Sequence, residues 1–120
     1  RKNMFLNLSH TNLDLFKVSR TFTLLCYKET NNFPSDEKFA IIQQIRRAAL
    51  SVHLNIAEGA SRKSLAERKR FYEIARGSLF EVDTAFDIAV ELNYTTKEQL
   101  QELGSHIIRC FQMLSKMIGA

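Results

Sequence analysis

Eight basic side chains concentrated between positions 46 and 76 are the residues of this sequence best suited to chemistry, because clustered guanidinium and ammonium groups attract phosphates and other anions. Only three acids fall in that stretch, which therefore carries a net charge of +5, against −1 for the rest of the 120-residue chain. We interpret these eight residues as candidates for a nucleic-acid-binding surface: Arg46, Arg47, Arg62, Lys63, Arg68, Lys69, Arg70 and Arg76. The alternative interpretation is a solvated helical face.

The histidines, which often act as bases or metal ligands, form no catalytic or metal-binding pattern in this sequence. The chain has three of them, His10, His53 and His106. Glu102 lies four residues before His106, but a di-iron helical bundle needs Glu-x-x-His pairs on two helices and two more inward glutamates. His53 fits a boundary position better than the role of a base, and no glycine-rich phosphate loop is present. We therefore predict a non-enzyme without metal or cofactor.

Cysteine use and hydropathy indicate a reducing cytoplasmic setting. Cys26 and Cys110 are too far apart for a metal motif and fall on apolar helical faces, which predicts buried free thiols. No apolar run approaches the roughly 20 residues that span a bilayer, and nothing resembles a signal peptide. We expect a cytoplasmic protein with no membrane partner.

The spacing of apolar residues predicts the elements that carry these side chains. Apolar residues recur every three or four positions, as on one face of an α-helix, over positions 15–25, 42–59, 71–92 and 100–117. The connections are short, so neighbouring helices should be antiparallel. We predict an all-α fold, an antiparallel up-down-up-down four-helix bundle at 12–120, after a flexible N-terminal lead-in at 1–11.

Capping residues predict where the helices begin and end. Thr11 or Asn12 is suited to cap the first helix, and Ser35, which follows an Asn-Asn-Phe-Pro break, is suited to cap the second. Gly59 is suited to close the C-terminus of the second helix. Capping boxes mark the starts of the third and fourth helices, at 64–67 and 96–99.

Apolar residues on the outer faces of the predicted helices indicate contact between subunits. Phe80 lies about 200° around the helical wheel from Ser78, which belongs to the apolar seam of the third helix. Leu50 and Leu54 share a face with Arg47 and not with the seam of the second helix. Large apolar residues in such positions favour an oligomer interface. We predict a homo-oligomer, most simply a dimer or a closed ring.

Polar and small residues within the helices indicate how neighbouring helices meet. Ser51, Asn55 and Glu58 follow one edge of the second helix, and Arg62 comes four residues later. We interpret Ser51, Asn55 and Glu58 as a structural polar network that fixes helix register or subunit contact. Gly77 lies inside the third helix, where glycine costs about 1 kcal/mol relative to alanine, so we expect a neighbouring helix to approach closely there.

Two motifs in the centre of the chain are specific enough to compare with known families. The first spans 45–59 and reads IRRAALSVHLNIAEG, and the second spans 75–81 and reads ARGSLFE, with Phe71 shortly before it. Together they resemble the four-helix bundle family of 23S rRNA intervening-sequence proteins, over roughly positions 13–117. The chain departs from the family at 53–54, where it has His-Leu in place of the Pro-Ala often found there.

This resemblance implies a fold and an assembly more strongly than an activity. It implies a short bacterial protein that forms a helical bundle and assembles as a ring, with a homopentamer as the expected assembly. A similar fold occurs in the accessory variability proteins of diversity-generating retroelements, which bind nucleic acid and a reverse transcriptase. A protein partner is therefore a second possibility that the resemblance raises.

These observations predict a non-catalytic homo-oligomer that binds structured RNA or other nucleic acid through its basic residues. Only Phe71 and Tyr72 interleave with the basic residues, so we expect recognition of shape and charge rather than base stacking. The alternative is a protein-interaction scaffold, in which the arginines form ion pairs between subunits. The acids that would accept those ion pairs lie in the second half of the third helix: Glu81, Asp83, Asp87 and Glu91.

Overall fold

The computed structural model describes residues 3–119, apart from the side chain of Asn12. It contains four α-helices, which are α1 (Asp14–Thr30), α2 (Ile41–Ala60), α3 (Leu65–Glu91) and α4 (Gln101–Ile118). Two short 3-10 helices precede α1 and α2, at Ser9–Asn12 and Ser35–Glu37. Within the described residues there is no β-strand. The predicted all-α fold is confirmed.

The helices pack as a bundle in which each helix lies beside two others. The contact between α2 and α3 is the most extensive, and α1 packs on α2, α3 on α4, and α4 on α1, which closes the bundle. The connections between α2 and α3 and between α3 and α4 are short, so these neighbours run antiparallel. Because the extensive contacts join each helix only to two neighbours, α2 and α4 occupy opposite corners of the bundle, and so do α1 and α3.

The core is built from the apolar seams that the spacing predicts. Along α2, the seam residues Ile45, Val52 and Ile56 are fully buried. Along α3 the buried stripe includes Leu79 and Phe86, which lie beside the predicted seam. The stripe is wider than one seam because α3 packs against α2 on one side and α4 on the other.

The first and second helices begin later than their predicted caps. Residues before α1 form their own 3-10 helix, so the residue that caps α1 is Leu13, which has extended backbone. Ser35 likewise opens a separate 3-10 turn after Pro34, and α2 begins only at Ile41. The predictions that Thr11 or Asn12 and Ser35 would cap these helices were therefore wrong. His10 and Thr11 are buried, so packing onto the bundle begins before position 12.

The hydroxyl hydrogen bond of each predicted capping box forms, although only one of the two opens a helix directly. The Ser64 hydroxyl oxygen accepts a hydrogen bond from the Glu67 N–H at 3.2 Å, and α3 starts at the next residue after Ser64. The Thr96 hydroxyl oxygen accepts one from the Gln99 N–H at 3.1 Å. A hydrogen-bonded turn follows Thr96, and α4 begins at Gln101.

Two glycines do not have the roles that the sequence predicts for them. Gly59 lies inside α2, which continues to Ala60, and a Cβ at Gly59 would lie 2.9 Å from Tyr72 Cε1 and 3.0 Å from Phe71 Cβ. Gly59 therefore allows α3 to approach α2 closely and does not end the helix. A Cβ at Gly77 would meet no heavy atom within 4 Å, so the predicted close approach at Gly77 was wrong.

Both cysteines are free thiols within the core, as predicted. Cys26 on α1 and Cys110 on α4 are fully buried. Burial raises the pKa of Cys110 to about 12, and it also raises the pKa of Cys26 above its ordinary value. Both thiols therefore stay protonated at neutral pH, in the form that is least reactive.

Candidate nucleic-acid interface

Five of the eight basic candidates lie together at the end of the α2–α3 hairpin. The connection after α2 carries two of them, and the first turns of α3 carry three, because Ser64 starts α3 immediately after the connection. The five are Arg62, Lys63, Arg68, Lys69 and Arg70. We call these five residues the hairpin cations. Their proximity in the backbone follows from the shortness of the connection, while Arg68, Lys69 and Arg70 project in directions about 100° apart around α3.

Within the hairpin cations, two arginines hold the connection in place. Arg62 forms an ion pair with Glu58, in which Nη2 lies 2.7 Å from Oε2. Arg68 donates from Nε to the backbone carbonyl of Arg62 at 2.6 Å. Arg62 also places its guanidinium over the Phe71 ring, 5.0 Å from the ring centroid. These contacts order the turn, so the cations are presented from a fixed backbone.

Within residues 3–119, the remaining hairpin cations have no carboxylate partner. Among residues 3–119 the only ion pair is that between Arg62 and Glu58. Lys63 and Arg70 are exposed, and Lys69 is half-buried beside the end of α4. Arg70 lies over the Phe71 ring at 5.5 Å from its centroid. Phe71 is thus half-buried beneath two guanidinium groups, so it does not offer a free face for a nucleic-acid base.

The other three basic candidates lie away from the hairpin cations. Arg46 is fourteen residues before the end of α2, which is about 21 Å along the helix axis. Its guanidinium donates to Thr30 Oγ1 at 2.9 Å, to the Tyr27 carbonyl at 3.2 Å and to Asn31 Oδ1 at 2.9 Å. Arg46 therefore caps the C-terminus of α1, where a cation is favoured by the helix dipole.

Arg47 and Arg76 differ from Arg46 in how they are engaged. Arg47 is exposed on the outer surface of α2, next to Leu50 and Leu54. Arg76 is half-buried and donates from Nη1 to Ser115 Oγ at 3.2 Å, which connects α3 to α4. The eight candidates thus divide into one cluster of five and three separate residues.

The predicted polar network divides into two parts. Ser51 on α2 and the buried Ser78 on α3 share a hydrogen bond of 2.9 Å between their hydroxyl oxygens. Asn55 donates from Nδ2 to Ser51 Oγ at 3.1 Å and to the Ser51 carbonyl at 2.9 Å. Glu58 instead pairs with Arg62. Ser51, Ser78 and Asn55 therefore join α2 to α3, while Glu58 pairs with Arg62, one of the hairpin cations.

His53 is a packing residue at the contact of α1 and α2. Its Nδ1 lies 2.7 Å from the Ser19 hydroxyl oxygen, and its ring lies 4.5 Å from the centroid of Phe16. Burial lowers the pKa of His53 to about 4, and the positive charges of Arg20 and His10 act in the same direction. His53 is therefore neutral at neutral pH. Ser19 could not be found from the sequence as its partner, because it lies 34 positions away.

The predicted interface residues lie on two different surfaces of the bundle. Leu50 and Leu54 are 41% and 56% exposed on the outer side of α2. Phe80 is 51% exposed on α3, where its ring lies 5.7 Å from that of Phe111 on α4. Since α2 and α4 occupy opposite corners, these are separate patches. We call them the α2 patch (Leu50 and Leu54) and the α3–α4 patch (Phe80 and Phe111).

Neither a metal cluster nor a membrane span is found in the described part of the chain. Among residues 3–119, no three His, Cys, Asp or Glu side chains come together in a way that could hold a metal ion. In the same range, none of the helices combines the length and the apolar character needed to cross a membrane.

The fold and its basic hairpin define the class of the protein as a small four-helix bundle with a cationic end. The chain belongs to the family described as 23S rRNA-intervening sequence protein, whose profile matches residues 11–116. The solved structure of a protein with unknown function from the S23 ribosomal protein family of Bacteroides thetaiotaomicron is similar, with a TM-score of 0.78 and 22% identity. That match covers 88% of this chain and 99% of that chain, and at this identity it establishes the fold alone. No curated protein sequence matches the chain.

Proposed function

We propose that this protein is a non-catalytic homo-oligomer that binds structured RNA or other nucleic acid through the hairpin cations. The observation that carries the proposal is the positive charge at the end of the α2–α3 hairpin, which is exposed at Lys63 and Arg70 and has no carboxylate partner at either residue within 3–119. Lys63, Lys69 and Arg70 have no carboxylate within ion-pair distance among residues 3–119, and they surround one short connection. Clustered cations of this kind attract the phosphates of a nucleic-acid backbone.

The mode of binding follows from the state of the aromatic residues near the hairpin cations. Tyr72 is buried against Gly59, and Phe71 is half-buried beneath Arg62 and Arg70. Neither ring is available to stack on a base, so binding reads the shape and charge of the backbone. Affinity should therefore depend steeply on salt and only weakly on base sequence.

Assembly is supported by the separation of the two apolar patches. An interface related by two-fold symmetry brings the same patch of two subunits together, whereas a head-to-tail interface joins two different patches and closes into a ring when its rotation permits. The α2 patch and the α3–α4 patch lie on different surfaces of the bundle, which suits the second arrangement. A ring, with a pentamer expected from the family resemblance, would repeat the hairpin cations and multiply weak phosphate contacts.

A protein-interaction scaffold is a second candidate, and the acids of α3 favour it. Asp83, Asp87 and Glu91 are exposed and form no ion pair among residues 3–119, and Glu81 accepts only a hydrogen bond from Gln44 at 3.0 Å. These acids are available to the arginines of a second subunit or to a basic protein partner. Under this candidate function the hairpin cations serve assembly, and nucleic acid does not bind.

The test is fluorescence anisotropy with structured 23S rRNA fragments and with duplex DNA, at about 50 and about 200 mM salt. The variant Lys63→Gln/Lys69→Gln/Arg70→Gln removes three hairpin cations without touching the contacts that order the turn. The matched control Lys17→Gln/Lys28→Gln/Arg109→Gln removes the same charge from exposed positions elsewhere.

We expect the hairpin variant to lose at least about tenfold in affinity and to show a smaller salt slope, because each lost phosphate contact lowers that slope by about one. The control should retain most of the affinity. Equal losses in both variants would show that binding depends only on net charge. No binding by the wild type at low salt would favour the scaffold. Sedimentation of each variant would show that assembly is unchanged.

A further inference from the structure

A groove runs along the outer surface between the second half of α3 and the first half of α4. Its volume is about 570 Å³, and Phe86, Leu103 and Ile107 form an apolar floor. Asp83 and Asp87 of α3 stand along one side. The groove is continuous with the α3–α4 patch, because Phe80 lies one turn before Asp83 and Thr84 on the same helix.

A glycine of α4 lies in the wall of the groove. Gly104 lines the groove, and a Cβ placed there would meet no heavy atom within 4 Å. Ile108, one turn later, lines the same groove and is exposed. The charged lining consists of Asp83, Asp87 and Lys97, so it is negative overall. An apolar segment that also carries positive charge would complement it.

The N-terminal arm of this chain, residues 3–8, supplies the apolar part, and two cationic residues precede it in the sequence. Met4, Phe5 and Leu6 are 75%, 82% and 62% exposed, which leaves three consecutive large apolar side chains in water. Arg1 and Lys2, which lie outside the described residues, precede them in the sequence and supply two positive charges. An exposed apolar run of this kind indicates a contact that the single chain does not provide.

The arm and the groove of one chain lie at different ends of the bundle. The arm joins α1 at its N-terminus, beside the end of α4, whereas the groove lies beside the beginning of α4. The 17 residues of α1 correspond to about 26 Å along the axis, and α1 occupies the corner opposite to α3. An extended segment of six residues reaches about 20 Å at most. The groove of a neighbouring subunit can lie within reach of the arm, because the arm then does not have to cross its own bundle.

We propose that the N-terminal arm of one subunit occupies the α3–α4 groove of a neighbouring subunit, with Phe5 and Leu6 against its apolar floor. Exchange of a terminal segment is a low-cost way to strengthen an oligomer. This inference rests on the proposed homo-oligomer, and it names the segment that completes its interface. It does not depend on nucleic-acid binding, because the hairpin cations lie at the opposite end of α3.

Disulfide trapping between separately purified variants tests which chain supplies the arm. Phe5→Cys places a thiol on the arm and Gly104→Cys places one in the groove, while the native cysteines are buried. The matched control is Phe39→Cys mixed with Gly104→Cys, because Phe39 is also 82% exposed. With one partner carrying a size tag, we expect the Phe5–Gly104 pair to form the mixed dimer at least about tenfold faster than the control, as effective concentration dictates.

A chain that carries both Phe5→Cys and Gly104→Cys, oxidised at high dilution, tests whether the arm occupies the groove of its own chain or that of another chain. Mainly intramolecular disulfide would overturn the proposal, because the arm would then occupy its own groove. Cross-linking no faster than in the Phe39 control would also overturn it and would leave the homo-oligomer standing. A wild type that sediments as a monomer at all concentrations would overturn the proposed assembly and this inference together.

A second measurement does not require cysteines. The variant Phe5→Ser/Leu6→Ser should raise the dissociation constant for self-association at least about tenfold, since two large apolar side chains lose their burial. Phe39→Ser should leave the constant unchanged. In an anisotropy assay at matched subunit concentration, a monomeric arm variant should still show salt-dependent binding per subunit. An unchanged constant for the arm variant would overturn the inference.

Discussion

The two halves of α3 meet their neighbours in different ways. The first half is basic and packs closely on α2, where Gly59 leaves no room for a Cβ and Ser78 bonds to Ser51. The second half is acidic and borders α4 across an open groove, where Gly104 faces empty space. One continuous helix therefore has a closed contact on one side and an unfilled contact on the other. How closely α3 packs therefore depends on the neighbouring helix, α2 or α4, and not on α3 alone.

The two halves also differ in the partners that their charges suit. The hairpin cations lie at the start of α3 and have no carboxylates apart from Glu58 within ion-pair distance in residues 3–119. Asp83 and Asp87 lie along the second half beside apolar surface, and neither forms an ion pair within residues 3–119. The first arrangement suits a large anion in water, and the second suits a segment that is both apolar and cationic. Four experiments with substituted proteins or a range of pH test this difference between the two halves of α3.

The largest effect is expected from adding a methyl group where α3 packs closely on α2. Gly59→Ala places a methyl group about 2.9 Å from Tyr72 Cε1, so α3 must move away from α2 or the ring must shift. We expect the free energy of unfolding to fall by about 1–3 kcal/mol, as for overpacked cores. Urea denaturation measures it. A stabilised Gly59→Ala protein would show that the α2–α3 contact is not close in solution.

The next effect concerns the pH dependence of stability, and it tests whether α2 packs closely on α1 as well as on α3. The pKa of His53 is lowered to about 4 in the folded protein, from 6.5, so the unfolded chain binds more protons between these values. The free energy of unfolding should be fully retained above pH 6.5 and should fall as the pH decreases from about 6.5 to about 4. The ring is half-exposed, and water reduces the size of the effect.

The variant His53→Gln isolates this contribution to the pH dependence. A glutamine keeps a polar partner for Ser19 and cannot take up a proton in this range. We expect the variant to lose part of the decrease in stability between pH 6.5 and pH 4, measured by denaturation at a series of pH values. Identical pH profiles for wild type and variant would contradict the burial of His53 against α1.

A smaller effect is expected from the hydrogen bond between the helices. Ser78→Ala removes the bond to Ser51, which keeps its hydrogen bond from Asn55. The free energy of unfolding should fall by about 0.5–1.5 kcal/mol. The control is Ser105→Ala on α4, where the hydroxyl bonds only to the carbonyl of Glu102 and to the ring of His106 within its own helix. A larger loss in the control would reverse the comparison between the two sides of α3.

The smallest effect is expected on the open side, and it has the opposite sign. Gly104→Ala adds a methyl group that meets no atom within 4 Å, so the variant gains helix propensity without a clash. The free energy of unfolding should rise by about 0.5–1 kcal/mol. Gly77→Ala, also without neighbours, should behave alike. Destabilisation by Gly104→Ala in the absence of assembly would show that the groove is closed in solution.

The sequence by itself determined the helices and much of the site. The periodic apolar residues of α2 predicted its buried face, and the Ser64 capping box predicted the start of α3, because both depend on interactions within one or two helical turns. The concentration of basic residues was likewise visible without coordinates. The hairpin cations lie around one short connection. This part of the candidate site could therefore be predicted from the sequence alone.

Only the tertiary structure decided what each of these residues meets. It assigned Arg46 to the end of α1, separated Phe80 from Leu50 and Leu54, and gave Gly59 the role expected of Gly77. It also opened the groove beside Gly104, which no spacing along α4 could have indicated. The physical reason is that periodicity describes one helix, whereas clearance, hydrogen-bond partners and grooves depend on atoms that a second helix supplies.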